Sequence, residues 1–193
     1  MAGLEPRGLP HVFASSYGDL PINDYLCATL ARTPTDVSPT KFHNSVHNAP
    51  AGYWTIATGC RESSSAISAA DATFGAGLLE AALLAHCEAR PVLLVVYDVA
   101  ASGPIADVVP CGTPFAAGFV LAPPHDGALA LLRLTVDDSP AALAPERDLL
   151  HALYPNNPAA RSLPLLDALA RRAAQTQRVL AGPQLQFAME ITF

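Results

Sequence analysis

Three groups of residues have types and spacings that can do chemistry, and the first is Asp71. It stands where a short predicted strand runs into a long apolar helix, in the stretch SSSAISAADATFGAGLLEAALLA (Ser63–Ala85). In many α/β enzymes such an elbow carries the nucleophile, aimed by the helix N-terminus. An aspartate at or beside a helix N-cap accepts backbone N–H hydrogen bonds, and this alone contributes about 0.5–2 kcal/mol. We therefore expect Asp71 to cap the helix, with no catalytic role required.

Serine and cysteine side chains near the elbow form the second group. Ser65 and Ser68 lie in ESSSAIS, and Cys60 precedes them. Any of these, paired with His47, would give the nucleophile of a stand-alone acyl transferase or hydrolase. The chain has no G-x-S-x-G elbow, and no motif ties a histidine to a serine or cysteine. This enzyme is therefore the alternative and not the main hypothesis.

The third group is the histidine pair His43 and His47 in HNSVH. Their spacing allows two imidazoles on one helical face to share a metal ion, but no third ligand accompanies them at a suitable offset. Helix packing and polar contacts explain the pair better, and we predict no metal. The stretch TFGAG lacks the pattern of a phosphate-binding loop, so Gly75 and Gly77 are expected to serve helix packing.

Composition limits the range of partners. The 193 residues suffice for one domain, and the net charge of −6 with a single lysine makes nucleic acid and anionic membranes poor partners. Apolar residues make up 51% and charged residues only 15%, which indicates a large core or a surface that a partner covers. The apolar runs are far shorter than the roughly 20 residues of a membrane span, and no secretory signal is visible. We expect a cytoplasmic protein.

The cysteines fit that compartment. Cys27, Cys60, Cys87 and Cys111 form no C-x-x-C pair and match no zinc module. Free thiols in a reducing cytosol are the expected state.

Hydrophobic patterns predict the elements that position these residues, and they indicate an α/β fold. Strands are predicted at 11–19, 65–69, 91–100 and 185–193, and helices at 22–32, at 41–59 in two pieces broken near Pro50, and at 72–88. The helix at 72–88 is apolar on all sides, which is typical of the middle of a layered protein. The stretch 115–138 predicts two strands around a Pro-His-Asp-Gly turn, and 165–180 predicts an amphipathic helix closed by Gly182. The residues between 139 and 164 read as a Pro- and Ala-rich connector with one short helix.

Together the motifs resemble the β-ketoacyl synthase-like N-terminal domain family. They are VFASSYGDL, SPTKFHNSVHNAPAGYW, SAISAADATFGAGLLEA and PVLLVVYD, and the resemblance covers roughly His11–Val136. More narrowly, the chain is similar to the short chain-length-factor-like subunits found with ketosynthases in aryl polyene and xanthomonadin-type pathways. The resemblance implies a thiolase-like half-fold, layered α-β-α with a mixed sheet around a buried central helix. Residues 1–138 would form this domain, with 139–193 a helical connector and a C-terminal helix and strand packed on it.

The resemblance also implies that Asp71 occupies the place of the family's nucleophilic cysteine. A thiolate can take an acyl group from a carrier-protein thioester and release it, whereas a carboxylate would give a mixed anhydride that water destroys. The second half of a ketosynthase, with its two histidines, has no counterpart in the sequence. The implied protein is a non-catalytic chain-length-factor subunit of type II fatty acid or polyketide-type (aryl polyene) biosynthesis. It would need no cofactor, pair with a catalytic ketosynthase, and meet the acyl carrier protein through that complex.

In this family the strand before the elbow lies at a sheet edge and pairs with the partner, so Ser64–Ala69 is expected to extend a partner's sheet. The expected interface residues are Ser64, Ser65, Ala66, Ile67, Ser68, Phe42, Asn44, His47, Asn48, Tyr53 and Trp54. The residues expected at the acyl pocket are Ala70, Ala72 and Phe74. The family has a further strand upstream, in the centre of its sheet. Either the start codon lies upstream of residue 1, or another segment such as Leu185–Phe193 fills the gap.

Overall fold

The computed structural model describes residues 3–109, 111–137 and 154–193, so the predicted connector lies outside it up to residue 153. The helices in these residues are α1 (Leu20–Arg32), α2 (Pro39–Asn44), α3 (Ala49–Thr58), α4 (Thr73–Glu88) and α5 (Leu163–Arg171). The strands are β1 (His11–Ala14), β2 (Ser64–Ile67), β3 (Val92–Asp98), β4 (Phe115–Leu121), β5 (Leu131–Val136), β6 (Gln175–Gly182) and β7 (Leu185–Thr192). The α/β class is confirmed. So is the break between α2 and α3, where Pro50 lies in the first turn of α3.

The strands form two sheets. The first has the order β2-β1-β3-β4, with β1 parallel to both β2 and β3, and β4 antiparallel to β3. The second is antiparallel with the order β5-β7-β6. Because β1 pairs directly with β3, the first sheet has no central gap. The expectation that Leu185–Phe193 fills one is wrong, since β7 is the middle strand of the second sheet.

Helix α4 lies between the two sheets. Alternation along β1 sends Val12 and Ala14 into the core with α4, while His11 and Phe13 face α3 and contact Trp54. On the other side of α4, the second sheet adds to the same core the side chains of Val179, Ala181, Phe187, Met189 and Ile191. The predicted buried central helix is confirmed. The second sheet, which gives the helix its other wall, was not foreseen.

Two glycines allow this close packing. A Cβ at Gly75 would overlap the backbone carbonyl oxygen of Leu180 in β6. A Cβ at Gly77 would lie 2.8 Å from Ala14 Cβ and 3.1 Å from Leu94 Cδ1 in the first sheet. Residues two apart lie on nearly opposite faces of a helix, so each glycine serves one sheet. The expected packing role of Gly75 and Gly77 is confirmed.

Two predictions about the elements are wrong. The predicted helix at 165–180 ends at Arg171, because residues 175–182 pair with β7 and alternate Val179 and Ala181 into the core. Pairing of this kind outweighs the helical propensity of an Ala- and Arg-rich stretch. The two strands predicted in 115–138 both form, as β4 and β5, but they belong to different sheets and do not pair with each other.

Substituting the α4 glycines by alanine should destabilise the protein, and the loss should be larger where the added Cβ would contact backbone than where it would contact side chains. We expect Gly75→Ala to reduce the free energy of unfolding by about 3 kcal/mol or more, because backbone cannot yield, and Gly77→Ala by about 1–3 kcal/mol. Gly52→Ala is the matched control, since a Cβ there meets nothing within 4 Å in the exposed part of α3. It should stabilise by about 0.5–1 kcal/mol. Urea unfolding of the three variants measures this, and equal losses at positions 52 and 75 would contradict the packing.

Candidate functional site

The turn between β2 and α4, residues 68–72, is the elbow, and hydroxyl groups hold its backbone. The buried Thr73 hydroxyl accepts the N–H of Ala69 at 2.9 Å and donates to the carbonyl oxygen of Ala70 at 2.7 Å. Ser16 Oγ lies 2.7 Å from the same carbonyl oxygen, and Ser68 Oγ donates to the carbonyl oxygen of Ser16 at 3.0 Å. These contacts hold Ala70 in a left-handed conformation with φ of 48°, which is unfavourable for a residue with a Cβ.

Asp71 does not cap α4, so the expected capping role is wrong. The side chain is 69% exposed and its Oδ2 lies 3.6 Å from Nη2 of Arg161. The N-cap residue of α4 is Ala72, which offers no side-chain hydrogen bond. The physical reason is a short 3-10 turn, Ala70–Ala72, which delays the start of α4 to Thr73 and leaves Asp71 outside its first turn. Instead, the Thr73 hydroxyl accepts a hydrogen bond from the N–H of Ala69 in the elbow.

This arrangement predicts unequal effects of two elbow substitutions. Asp71→Ala removes only an exposed ion pair and should change the free energy of unfolding by less than about 0.5 kcal/mol. Thr73→Val keeps the shape of the side chain but leaves the N–H of Ala69 without its acceptor, and should cost about 1–3 kcal/mol. Thermal and urea unfolding of both variants test the comparison. If Asp71→Ala reduced the free energy of unfolding as much as Thr73→Val does, Asp71 would stabilise the start of α4 after all.

Asp98, at the end of β3, fixes the turn that brings Ser16 to the elbow. Its carboxylate is 1% exposed, and Oδ1 accepts the Ser15 hydroxyl at 2.8 Å, the Ser16 N–H at 2.9 Å and the Tyr17 N–H at 3.1 Å. The Asn157 amide donates to the carbonyl oxygen of Asp98 at 3.2 Å, which ties the C-terminal part to the same point. The carboxyl ends of β1, β2 and β3 are thus joined by one polar network.

Burial governs ionisation in this network. Burial raises the pKa of Asp98 above its ordinary value, although the Ser15 hydroxyl and the N–H groups of Tyr17 and Ser16 act in the opposite direction. The pKa of Tyr17 is also raised, first by burial and then by the carboxylates of Asp71 and Asp98. Tyr17 is therefore a neutral phenol beside the elbow.

Asp98 should make stability depend on pH. An acid with a raised folded-state pKa binds its proton more tightly in the folded protein, so the free energy of unfolding falls as pH rises from about 3.8, its ordinary value, through the raised one. Asp98→Asn should flatten this slope and be at least as stable as the parent at pH 7, because the amide oxygen can accept the same three donors. Asp98→Ala leaves those donors unpaired and should lose about 3 kcal/mol or more.

Urea unfolding from pH 3 to pH 8 for the parent and both variants measures these effects. If Asp98→Asn were as unstable as Asp98→Ala at pH 7, the ionised carboxylate would be a net stabiliser and the argument would be wrong.

Cys60 and His47 of the alternative nucleophilic site lie at opposite ends of β1, while the Ser68 hydroxyl donates to the carbonyl oxygen of Ser16. The Sγ of Cys60 is buried, donates to the carbonyl oxygen of Leu9 and lies 3.9 Å from Nδ1 of His11, at the amino end of β1. His47 is at the other end of that strand, with Nε2 2.8 Å from the carbonyl oxygen of Ser15. A hydrogen-bonded nucleophile and base, the geometry that this chemistry needs, is therefore not formed by Cys60 and His47.

The histidine pair is also divided between elements, since His43 is in α2 and His47 is in the turn before α3. Within residues 3–109, 111–137 and 154–193, no group of three His, Cys, Asp or Glu side chains is placed to hold a metal ion. None of the helices in that part of the chain is long and apolar enough to cross a membrane.

Within the described residues, the side of the protein that carries β2, α2 and α3 has an open sheet edge and two stretches without charged side chains, which Lys41 in α2 and Arg61 and Glu62 before β2 border. Strand β2 is the first strand of its sheet, and the carbonyl oxygens of Ser63 and Ile67 accept the N–H groups of His11 and Ser15. By alternation, the peptide groups of Ser64 and Ala66 point to the free edge. Residues 42–59 and 63–70 contain no Asp, Glu, Lys or Arg. We call these two stretches the neutral surface.

The predicted interface residues all lie on this neutral surface, exposed or half-buried. Phe42 is 64% exposed and Tyr53 is 50% exposed, with its hydroxyl donating to Asn44 Oδ1 at 2.7 Å. Trp54 instead packs against the first sheet. Sequence reasoning missed Val46 and Ile56, which are 50% and 79% exposed. Val46 lies in the turn before α3, and the exposure of Ile56 depends on which face of α3 meets β1, for which the weak amphipathicity of that helix gave little signal.

The three residues predicted at the acyl pocket differ in exposure. Ala70 is exposed at the elbow, whereas Ala72 and Phe74 are buried, with the Phe74 ring 6.3 Å from that of Phe119 between centroids. Their role stays a prediction. Sequence reasoning also missed Ser16, Thr73, Asp98 and Arg161, although polar residues at the ends of the strands in FASSYGD and VVYDV are the signal that could have found two of them, Ser16 and Asp98.

Comparison with known proteins found one matching family and similar solved structures. The family "Beta-ketoacyl synthase, N-terminal domain" matches residues 4–181. No curated protein sequence matches the chain.

Among solved structures, the complex of the ketosynthase ApeO with its chain length factor ApeC from Xenorhabdus doucetiae contains a similar chain. The match has a TM-score of 0.71 and 27% identity, and it covers 95% of this chain and 69% of the other. The thiolase-like fold class is thereby confirmed, and both findings agree with the resemblance that the motifs carry.

Proposed function

The chain belongs to the β-ketoacyl synthase N-terminal domain family, and we propose that it is a non-catalytic, chain-length-factor-like subunit that pairs with a catalytic ketosynthase. The observation that carries the proposal is the exposed carboxylate of Asp71 at the elbow, beside Arg161. An acyl group transferred to a carboxylate would form a mixed anhydride, which hydrolyses instead of condensing. Condensation would therefore take place on the partner.

The neutral surface supports the pairing. An open sheet edge exposes unpaired N–H and C=O groups and tends to be covered by another strand. Depletion of charge with exposed aromatic side chains is typical of the buried part of a protein–protein interface. Phe42 and Tyr53 provide such side chains on the neutral surface. The similar chain belongs to a complex between a ketosynthase and its chain length factor, which is consistent with a ketosynthase partner.

Within such a complex, this subunit would border the pocket in which the acyl chain grows, with Ala70, Ala72 and Phe74 nearest to the elbow. The pathway would be of the type II fatty acid or aryl polyene kind, in the cytoplasm. The acyl carrier protein would deliver its cargo to the ketosynthase, and this chain would meet it only through the complex. The division of the chain at residue 138 stays a prediction.

A proline at the free edge should prevent assembly. Ala66→Pro removes an N–H that points away from β1, so the change is tolerated within the chain but blocks pairing with a partner strand. Ala66→Thr keeps the N–H and is the matched control. On co-expression with a catalytic ketosynthase encoded nearby, the parent and Ala66→Thr should co-elute with it, and Ala66→Pro should not.

A thiol- and serine-directed acyl probe completes the test. It should label the ketosynthase in the purified complex and leave this chain unlabelled, alone or in the complex. Acylation of this chain, or a well-behaved monomer that never co-elutes with a ketosynthase, would contradict the proposed function.

A further inference from the structure

A cavity of about 360 Å³ opens beside the neutral surface, on the face of the first sheet that is turned away from α4. Phe13 and Val95 line it, and they alternate along β1 and β3 with Val12 and Leu94, which face α4. Six further lining residues belong to the neutral surface, and they are Asn44, Val46, His47, Ala49, Pro50 and Tyr53. The cavity is therefore continuous with the surface that we propose meets the ketosynthase.

Asp19 gives this cavity a single negative charge. Among the described residues of the lining it is the one Asp, Glu, Lys or Arg, and it is half-buried. Its Oδ1 accepts the N–H of Ile22 at 2.9 Å, at the start of α1. The ion pairs within the described ranges do not include Asp19. The carboxylate is therefore a cap for α1 that has no ionic partner in that part of the chain.

Aromatic rings form much of the rest of the wall. Phe13, Tyr53 and Tyr97 all line the cavity, and the rings of Phe13 and Tyr97 meet edge to face with centroids 6.4 Å apart. The Tyr53 hydroxyl is already bound to Asn44 Oδ1 at 2.7 Å, so the ring is what it offers to a ligand. Aromatic faces attract ammonium and guanidinium groups. One carboxylate among aromatic rings is a lining that favours an organic cation and disfavours an anion.

We infer that the cavity receives an arginine or lysine side chain of the ketosynthase, and that Asp19 is the charged contact that selects this partner. The inference rests on the proposed function. A partner that covers the neutral surface would take Asp19 out of water, and a carboxylate that is desolvated without a pairing charge strongly opposes association. The aliphatic stem of a basic side chain would pack against Val46 and Val95, with its charged end toward Asp19.

Asp19→Asn tests the charge without disturbing the helix. Asparagine caps a helix as well as aspartate does, so the N–H of Ile22 keeps its acceptor. The variant should bind the ketosynthase at least tenfold more weakly than the parent and with a smaller dependence on salt. Asp24→Asn is the matched control, because Asp24 lies in the same helix but outside the lining, and it should bind like the parent. Biolayer interferometry measures the affinities, and urea unfolding shows that both variants are folded.

A double-mutant cycle identifies the partner's side chain. Each Lys and Arg on the interacting face of the ketosynthase is changed singly to Met and measured against the parent and Asp19→Asn. One of these changes should weaken the complex with the parent at least tenfold and cause no further loss with Asp19→Asn.

The isolated chain allows a test that needs no ketosynthase. Nα-acetylarginine methylamide should shift the NMR signals of Val46 and Val95 in the parent. Its neutral isostere Nα-acetylcitrulline methylamide should bind at least tenfold more weakly, as should the arginine amide to Asp19→Asn.

Equal affinity of the parent and Asp19→Asn for the ketosynthase would overturn the inference, as would a scan in which no basic side chain couples to Asp19. If tetramethylammonium bound the isolated parent in either case, the cavity would belong to a small organic cation instead. Co-elution of the parent without coupling to Asp19 refutes this inference alone. Failure of the parent to co-elute with any ketosynthase refutes the proposed function, so the two failures are distinguishable.

Discussion

The fold depends on one close approach, that of α4 to both sheets at once. Gly75 lets the backbone of β6 contact one side of the helix, and Gly77 lets Ala14 and Leu94 contact the other. A helix held on two sides has a fixed axial position and rotation. Its N-terminus, and hence the elbow after β2, is therefore fixed relative to both sheets. The second sheet is part of this constraint, because without β6 and β7 half of the apolar circumference of α4 would face water.

The elbow itself is held by neighbours of residue 71 and not by residue 71. A buried carboxylate at Asp98 orders the turn after β1, that turn places Ser16, and Ser16 and Thr73 together hold the carbonyl oxygen of Ala70. The side chain of Asp71 contributes only an exposed ion pair with Arg161. The identity of residue 71 can therefore change without cost to the backbone that presents it.

The sequence predicted those elements whose own pattern is sufficient to define them. An all-round apolar run defines α4, a continuous apolar run defines β3, and Pro50 marks the first turn of α3. The errors have a different cause, because β6 was read as the end of a helix and β4 and β5 as neighbours. In each case the partner strand, β7 or β3, decides the outcome, and no local pattern identifies it.

The candidate site shows the same division. The position of the elbow and its unusual acid could be read from the sequence, but the contacts that hold it could not. Ser16 and Thr73 are 57 residues apart, and Ser16 and Asp98 are 82 apart. Such pairs are set by topology. The capping role expected for Asp71 failed for a related reason, because a single 3-10 turn moved the helix start by one residue, from 72 to 73.

The two sides of the first sheet differ in how completely this chain covers them. The inner side is closed by α4, with Val12, Ala14, Leu94 and Val96 fully buried. The other side carries the cavity, the neutral surface and the open edge of β2, and it leaves Phe42 and Ile56 largely in water. Composition alone allowed either a large core or a covered surface as the reason for 51% apolar residues. The structure shows where each of these lies. Burial around α4 stabilises the isolated chain, whereas the apolar surface on the other side of the first sheet contributes favourable free energy only when something else covers it. The open edge, the exposed aromatic side chains and the cavity on that side are therefore consequences of one asymmetry.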